Sequence, residues 1–323
     1  MKRRVDFQIL LCTTFIVAPL PASAVTMAWS PVGNAGNAPD PATGSLYGAV
    51  DYSYNIGSYE VTNAQYAEFL NSNDSTGDNA LGLYSSAGMS DATAGGISYN
   101  SGADEGSKYS LISGDENHPV NFITWYDAIR FANWMNNGQI AGSTETGAYT
   151  LGQLGPGGEP INGSDITRTE GATVFLPSED EWYKAAYYNP ATHSYFQYPT
   201  SSDTAPTADT PNATPNTANF SFAVGAPTDV GAYSGTTSPY GAFDMAGNIE
   251  EWNEALISGT DRGLRGGSLG GGSFLMLPTF RNDVDPRRGF AGFGFRLASV
   301  PEPSAIVLAA VGGVAALAIM RRR

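Results

Sequence analysis

The spacing of apolar and polar positions marks three helices clearly and strands only faintly. Thr62-Asn63-Ala64-Gln65 is a capping-box pattern, in which a hydroxyl and an amide three residues later each satisfy an N–H at the helix start. Val61 precedes it, and Tyr66, Phe69 and Leu70 supply the apolar face. Thr124 caps a second predicted helix, Trp125–Asn136, in which Trp125, Ala128, Ile129 and Ala132 recur at helical spacing. Ser178-Glu179-Asp180-Glu181 is another capping box. It opens a helix with Trp182, Ala185 and Ala186 on one face and Asn189-Pro190 as its stop. The predicted strands are short: residues 57–61, 147–151, 173–176 and 293–297. Residues 71–117 and 195–218 are polar and rich in Gly, Ser, Asn, Asp, Thr or Pro, far beyond the ~12–15 residues of an ordinary loop. Aromatic and glycine motifs continue on both sides of them without a break in composition. The pattern therefore predicts one irregular α+β domain with long loops.

The two ends follow a different pattern. Lys2, Arg3 and Arg4, an apolar stretch from Ile9 to Ala18, and Ala22-Ser23-Ala24 form a secretory signal peptide over residues 1–24. At the other end, Val300-Pro301-Glu302-Pro303-Ser304 leads into 16 apolar residues, 305–320, closed by Arg321, Arg322 and Arg323. As a helix this run reaches about 24 Å at ~1.5 Å per residue, slightly short of a hydrocarbon core of about 30 Å. The arginines would stay cytoplasmic, leaving the body of the chain outside. This tripartite tail resembles the PEP-CTERM sorting signal. The resemblance implies processing by an exosortase-type enzyme, transient anchoring in the membrane, and delivery to the cell surface or extracellular matrix. Residues 25–53 form a lead-in, 54–299 the domain, and 300–323 the sorting segment.

Composition sharpens this organisation. The formal charge is −15 over 323 residues, and removing both terminal segments makes it −19. So few clustered cations argue against a nucleic-acid partner, since phosphate neutralisation takes Lys and Arg. Cys12 is the one cysteine, and it lies in the signal peptide, so the processed chain has no thiol. Two histidines are too few for a three-histidine metal centre.

Six motifs then occur in order. Tyr59-Glu60-Val61-Thr62-Asn63-Ala64-Gln65-Tyr66 is followed by His118-Pro119-Val120-Asn121-Phe122-Ile123-Thr124-Trp125-Tyr126-Asp127-Ala128, then Leu176-Pro177-Ser178-Glu179-Asp180-Glu181-Trp182. Tyr240-Gly241-Ala242-Phe243-Asp244-Met245-Ala246-Gly247-Asn248-Ile249-Glu250-Glu251-Trp252, Arg265-Gly266-Gly267-Ser268 and Gly294-Phe295-Arg296 complete the set. The series resembles the formylglycine-generating-enzyme (sulfatase-modifying factor) domain family. That resemblance implies a single irregular α+β domain, related in topology to C-type lectins, with little regular secondary structure.

The resemblance also frames the chemistry. Enzyme members oxidise a substrate cysteine with copper held by two cysteines after the Gly-Gly-Ser motif, because soft thiolates select Cu(I). Here residues 269–281 contain Met276 but no cysteine, so copper is not expected. Another branch uses iron held by three histidines, whereas this chain offers His118 and His193. The resemblance implies a calcium site made by the Asp244 and Glu251 side chains with the Gly247 and Ile249 carbonyls, all hard oxygen donors. A second site would begin at Asn219 and the Phe220 carbonyl, with Asp229 as a candidate partner. Ser268 and Arg281 are expected to line the family's pocket, and Glu250 stands where the enzymes carry a pocket tryptophan. Arg265 and Arg296 are expected as buried structural cations. The leading expectation is an exported, calcium-stabilised binding or structural module with a surface or matrix ligand. The alternative is a divergent oxidoreductase acting on exported proteins.

Overall fold

A computed structural model describes residues 24–300, and both terminal segments lie outside the described residues. The chain begins with β1 (Trp29–Val32), β2 (Tyr54–Gly57) and α1 (Asn63–Asn73). Then come β3 (Ile97–Tyr99), β4 (Tyr109–Leu111), α2 (Trp125–Asn136), β5 (Val174–Phe175) and α3 (Glu179–Tyr187). Four two-residue strands follow: β6 (Tyr188–Asn189), β7 (Ser194–Tyr195), β8 (Thr207–Ala208) and β9 (Thr217–Ala218). The last third holds β10 (Glu250–Ser258), β11 (Asp261–Arg265), β12 (Asn282–Val284), β13 (Phe293–Gly294) and β14 (Ala298–Ser299). This is an α+β domain with little regular structure. Among the described residues no helix is long and apolar enough to cross a membrane.

All three capping boxes form. The Thr62 hydroxyl accepts from Gln65 N while the Gln65 side chain accepts from Thr62 N, and Thr124/Asp127 and Ser178/Glu181 do the same. The strand expectations shift. The first strand lies earlier, at β2, because residues 58–61 turn to enter α1. Residues 147–151 contribute one bridge, Tyr149 to Arg168, and of residues 293–297 only 293–294 form a strand, β13, with the buried Arg296 between it and β14. The two long polar stretches contain β3 paired with β4 and β8 with β9.

Two four-stranded sheets organise the domain, in orders β1-β2-β14-β5 and β12-β11-β10-β13. The β10–β11 hairpin is antiparallel, and β10 runs parallel to β13 with Glu250 opposite Phe293. The helices pack their apolar faces into a core that buries Trp125, Trp182 and Trp252 completely. Each indole N–H is satisfied, Trp125 by the Asn253 carbonyl at 2.9 Å, Trp252 by the Ile123 carbonyl at 2.8 Å, and Trp182 by Glu251 at 2.8 Å. A smaller cluster of Ala218, Phe220, Ala246 and Met276 lies against Gly267 of the glycine-rich loop, residues 266–272, so the Met276 thioether is packing.

Candidate functional site

The start of β10 is the junction of the motifs. Alternation along a strand sends Glu250 and Trp252 to one face and Glu251 to the other. Glu251 is a fully buried strand residue. Its Oε2 accepts from Arg296 Nε at 2.5 Å and Trp182 Nε1 at 2.8 Å, and its Oε1 from Arg296 Nη2 at 2.6 Å. Arg296 also donates to the carbonyls of Gly57 (2.8 Å) and Phe243 (2.9 Å). One bidentate pair thus joins α3, β10, the approach to β14 and the end of β2. Burial alone would lower the Arg296 pKa, but Glu251 holds it above its ordinary value.

That guanidinium faces more than one carboxylate. Glu60 Oε2 lies 4.0 Å from Arg296 Nη2, too far for a hydrogen bond, and has no donor among the described residues. Burial raises the Glu60 pKa well above the ordinary value, and Asp244 adds to the rise. Asp244 accepts from Gly231 N at 2.5 Å, and burial pushes its pKa up to about 6. Three carboxylates therefore share one buried cation. The backbone that assembles them is specialised: a Cβ on Gly247, at φ +77°, would sit 2.3 Å from the Asn219 carbonyl. Asn248, at φ +60°, donates to Glu60 Oε1 at 3.2 Å and accepts from Thr228 N at 3.0 Å.

The fit to calcium is one of charge. Glu251 already fills three of the roughly four lone-pair positions of a carboxylate. Among the described residues, no three His, Cys, Asp or Glu side chains converge as a metal-holding group. A cation here would rest on Asp244, the last lone pair of Glu251 and the carbonyls of Gly247 and Ile249, offsetting the excess negative charge. Asn219 keeps a buried Oδ1 without a donor among the described residues and gives its amide to the Ala226 carbonyl at 2.9 Å. Asp229 turns to His118 instead: its half-exposed carboxylate is 3.6 Å from His118 Nε2, and Asp115 is 3.3 Å from Nδ1. His193 meets the Tyr188 hydroxyl at 3.0 Å.

The expected pocket set is split. Glu250 is 5% exposed and accepts from Asn282 Nδ2 at 3.0 Å. Its backbone N donates to the Gly292 carbonyl at 2.7 Å, and a Cβ on Gly292 would be 3.2 Å from the Ser268 Cβ, so Ser268 and Glu250 bracket the same short segment. Arg281 departs from this group. Its Nη1 lies 3.7 Å from Glu179, and its guanidinium is 5.6 Å from the Tyr47 ring centre. There it joins Arg265, which donates to Glu179 at 2.5 Å and to the carbonyls of Pro278 and Phe280. Arg281 immediately precedes β12, whose first residue, Asn282, meets Glu250, so the two neighbours serve different groups. Asn282 was not singled out in the sequence, where an isolated Asn beside two Asp and Arg residues carries no signal. Cavities of about 330 Å³, beside Tyr126, Glu159 and Arg287, and about 170 Å³, beside Trp125 and Arg262, lie away from this strand end.

These features define an irregular α+β domain whose motif residues gather around a buried arginine–glutamate pair and the start of one long strand. The chain belongs to the sulfatase-modifying factor enzyme 1-like domain family, whose model matches residues 47–300. It is similar to hercynine oxygenase of Mycobacterium tuberculosis, 30% identical over 166 residues, covering 44% of this chain and 37% of that protein. The hercynine oxygenase of Mycolicibacterium thermoresistibile is 34% identical over 146 residues, covering 38% of this chain and 31% of that protein. The chain thus spans about a third of the length of the curated relatives it matches. Among solved structures, CarF aligns at TM-score 0.52 and 19% identity, over 86% of this chain and 99% of that one, a likeness of fold.

Proposed function

We propose that this protein is an exported, surface-sorted member of the family that binds a ligand or organises the cell envelope without thiol-copper catalysis. One observation carries the reading: the matched domain, residues 47–300, contains no cysteine. A thioether cannot stand in for two thiolates, and Met276 is buried in packing. The two histidines are held by Asp115 and Asp229 and by Tyr188, away from each other in role and partner. Export and delivery to the surface rest on the two terminal segments, with an exosortase-type enzyme as processing partner. Calcium would be held by Asp244, Glu251 and the Gly247 and Ile249 carbonyls, stabilising the loop before β10 rather than supplying chemistry.

The test is direct. The purified domain, given copper, oxygen and a cysteine-containing peptide of the sulfatase type, should leave the thiol unchanged by mass spectrometry. Appearance of an aldehyde would sink the reading. A second reading, a divergent oxidoreductase acting on exported proteins, is favoured by the likeness to hercynine oxygenases. It requires turnover of an organic substrate with oxygen uptake, supported by residues other than Cys.

A further inference from the structure

Glu250 is a buried acid without a cation among the described residues. Its Oε2 is held by the Asn282 amide, and its Oε1 has no donor among the described residues. Oε1 is not fully enclosed, although the residue as a whole is only 5% exposed. Other buried carboxylates have a matched partner: Glu251 and Glu60 have Arg296 close by, Glu179 has Arg265 and Glu181 has Arg168, while Asp40 and Asp74 are met by tyrosine hydroxyls and Asp127 by its own helix cap. A desolvated carboxylate with no internal counter-ion is costly to keep. Asn282 adds orientation and no charge.

Aromatic residues share the face of the sheet on which Glu250 lies. Residues in register across parallel strands point to the same face, so Phe293, opposite Glu250, shares its side of the sheet. Its ring lies 5.7 Å from Trp252 and 5.5 Å from Phe290, itself 47% exposed. The glycine-rich loop of residues 266–272 comes near this segment at Ser268, against Gly292. Leu269 N donates to the Asn248 carbonyl, and the Leu269 carbonyl accepts from Phe222 N at 2.7 Å. Phe222 is 68% exposed and adopts φ +57° directly after Ser221 at +51°, so two residues without the freedom of glycine hold an aromatic side chain out into solvent.

We propose that the Glu250 end of β10 is a binding site for an organic cation, an ammonium or guanidinium group carried on an apolar or aromatic body. The carboxylate supplies the counter-charge, Asn282 fixes its plane, and the faces of Phe293 and Phe290 receive the cation and its apolar portion. The strongly acidic domain draws such a ligand in before contact is made. This rests on the binding-module reading above and names the ligand class for its pocket.

Three probes that share a phenyl ring and differ in charge separate the possibilities: 2-phenylethylammonium, 2-phenylethanol and phenylacetate, titrated into the purified protein by calorimetry. The expected order is ammonium first, with the neutral and anionic probes at least tenfold weaker. Glu250→Gln keeps the shape and should reduce ammonium affinity at least tenfold, leaving 2-phenylethanol unchanged. Its thermal unfolding, run alongside, confirms that the variant is folded. Equal affinity for all three probes, binding that survives Glu250→Gln, or no ammonium binding at millimolar concentration overturns the proposal. None of these produces an aldehyde on a cysteine peptide with copper, so failure of the ligand class and failure of the non-catalytic reading are told apart.

Discussion

Glu250 and Glu251 are adjacent in the chain, both buried, and opposite in circumstance. Glu251 is closed in by a bidentate guanidinium and an indole N–H, whereas Glu250 has one neutral amide and one oxygen that is not fully enclosed. The alternation of a strand produces this difference from two identical residues. One side of β10 faces the interior, where a cation has been built in to match it. The other is also buried at Trp252, and only its first residue, Glu250, comes near the rim, where no described cation matches it. Identical side chains thus divide into a framework residue and a recognition residue by a rotation of about half a turn.

The largest expected effect lies on the closed side. Arg296→Met removes the cation that serves Glu251 and leaves three carboxylates without it, which for a buried pair costs about 3–5 kcal/mol. Urea unfolding should show the loss as a lower midpoint with an unchanged slope. A loss below about 1 kcal/mol would mean that the pair is not the framework described here.

Much of this framework was legible in the chain. Thr62, Thr124 and Ser178 with their partners three residues on announced all three helices, because a capping box is a local interaction. The expectation that Arg265 and Arg296 are buried cations also matches their place in the fold. The β10–β11 hairpin, the longest strand pair, was not predicted. Its first residues, Glu250-Glu251-Trp252-Asn253, are all buried, so they lack the alternation that marks a half-exposed strand. Long-range choices were also hidden. Nothing local says that Arg281 joins Glu179 while Asn282 meets Glu250, or that Asp229 faces His118. The terminal signal and sorting segments lie outside the described residues.

A smaller effect, dependent on pH, comes from Asp244, which is linked to the closed side. Its folded pKa of about 6 lies above the ordinary value of 3.8, set there mainly by burial. A carboxyl that binds its proton more tightly when folded favours the fold once protonated, so this contribution is fully present below the unfolded pKa and is lost as pH rises through 6. In the presence of chelator, the melting temperature should therefore include a component that increases as pH falls from 7.5 to 5. Asp127, also raised to about 6 by burial, contributes in the same direction, and Asp127→Asn separates the two. Calcium at Asp244 would hold the carboxylate ionised, raise the melting temperature at pH 7.5 and flatten this dependence. Identical curves with calcium and with chelator would exclude calcium from this loop.

The smallest effect on stability belongs to Glu250, and its smallness is the point of the comparison. Glu250→Gln retains an oxygen for the Asn282 amide and removes a charge that no described cation offsets. Because burial raises the folded pKa of Glu250, the ionised acid works against the fold at neutral pH and above. The substitution should leave stability within about 0.5 kcal/mol at pH 4 and be neutral to slightly stabilising at pH 8, a sign opposite to that of Arg296→Met. Urea unfolding of both variants at the two pH values measures this directly. A loss above about 2 kcal/mol for Glu250→Gln at pH 8 would show that Glu250 is a framework residue like its neighbour. If stability is retained while ammonium binding falls, the two faces of β10 have the separate roles assigned to them: Glu251 holds the strand in place, and Glu250 is free to answer a charge from solution.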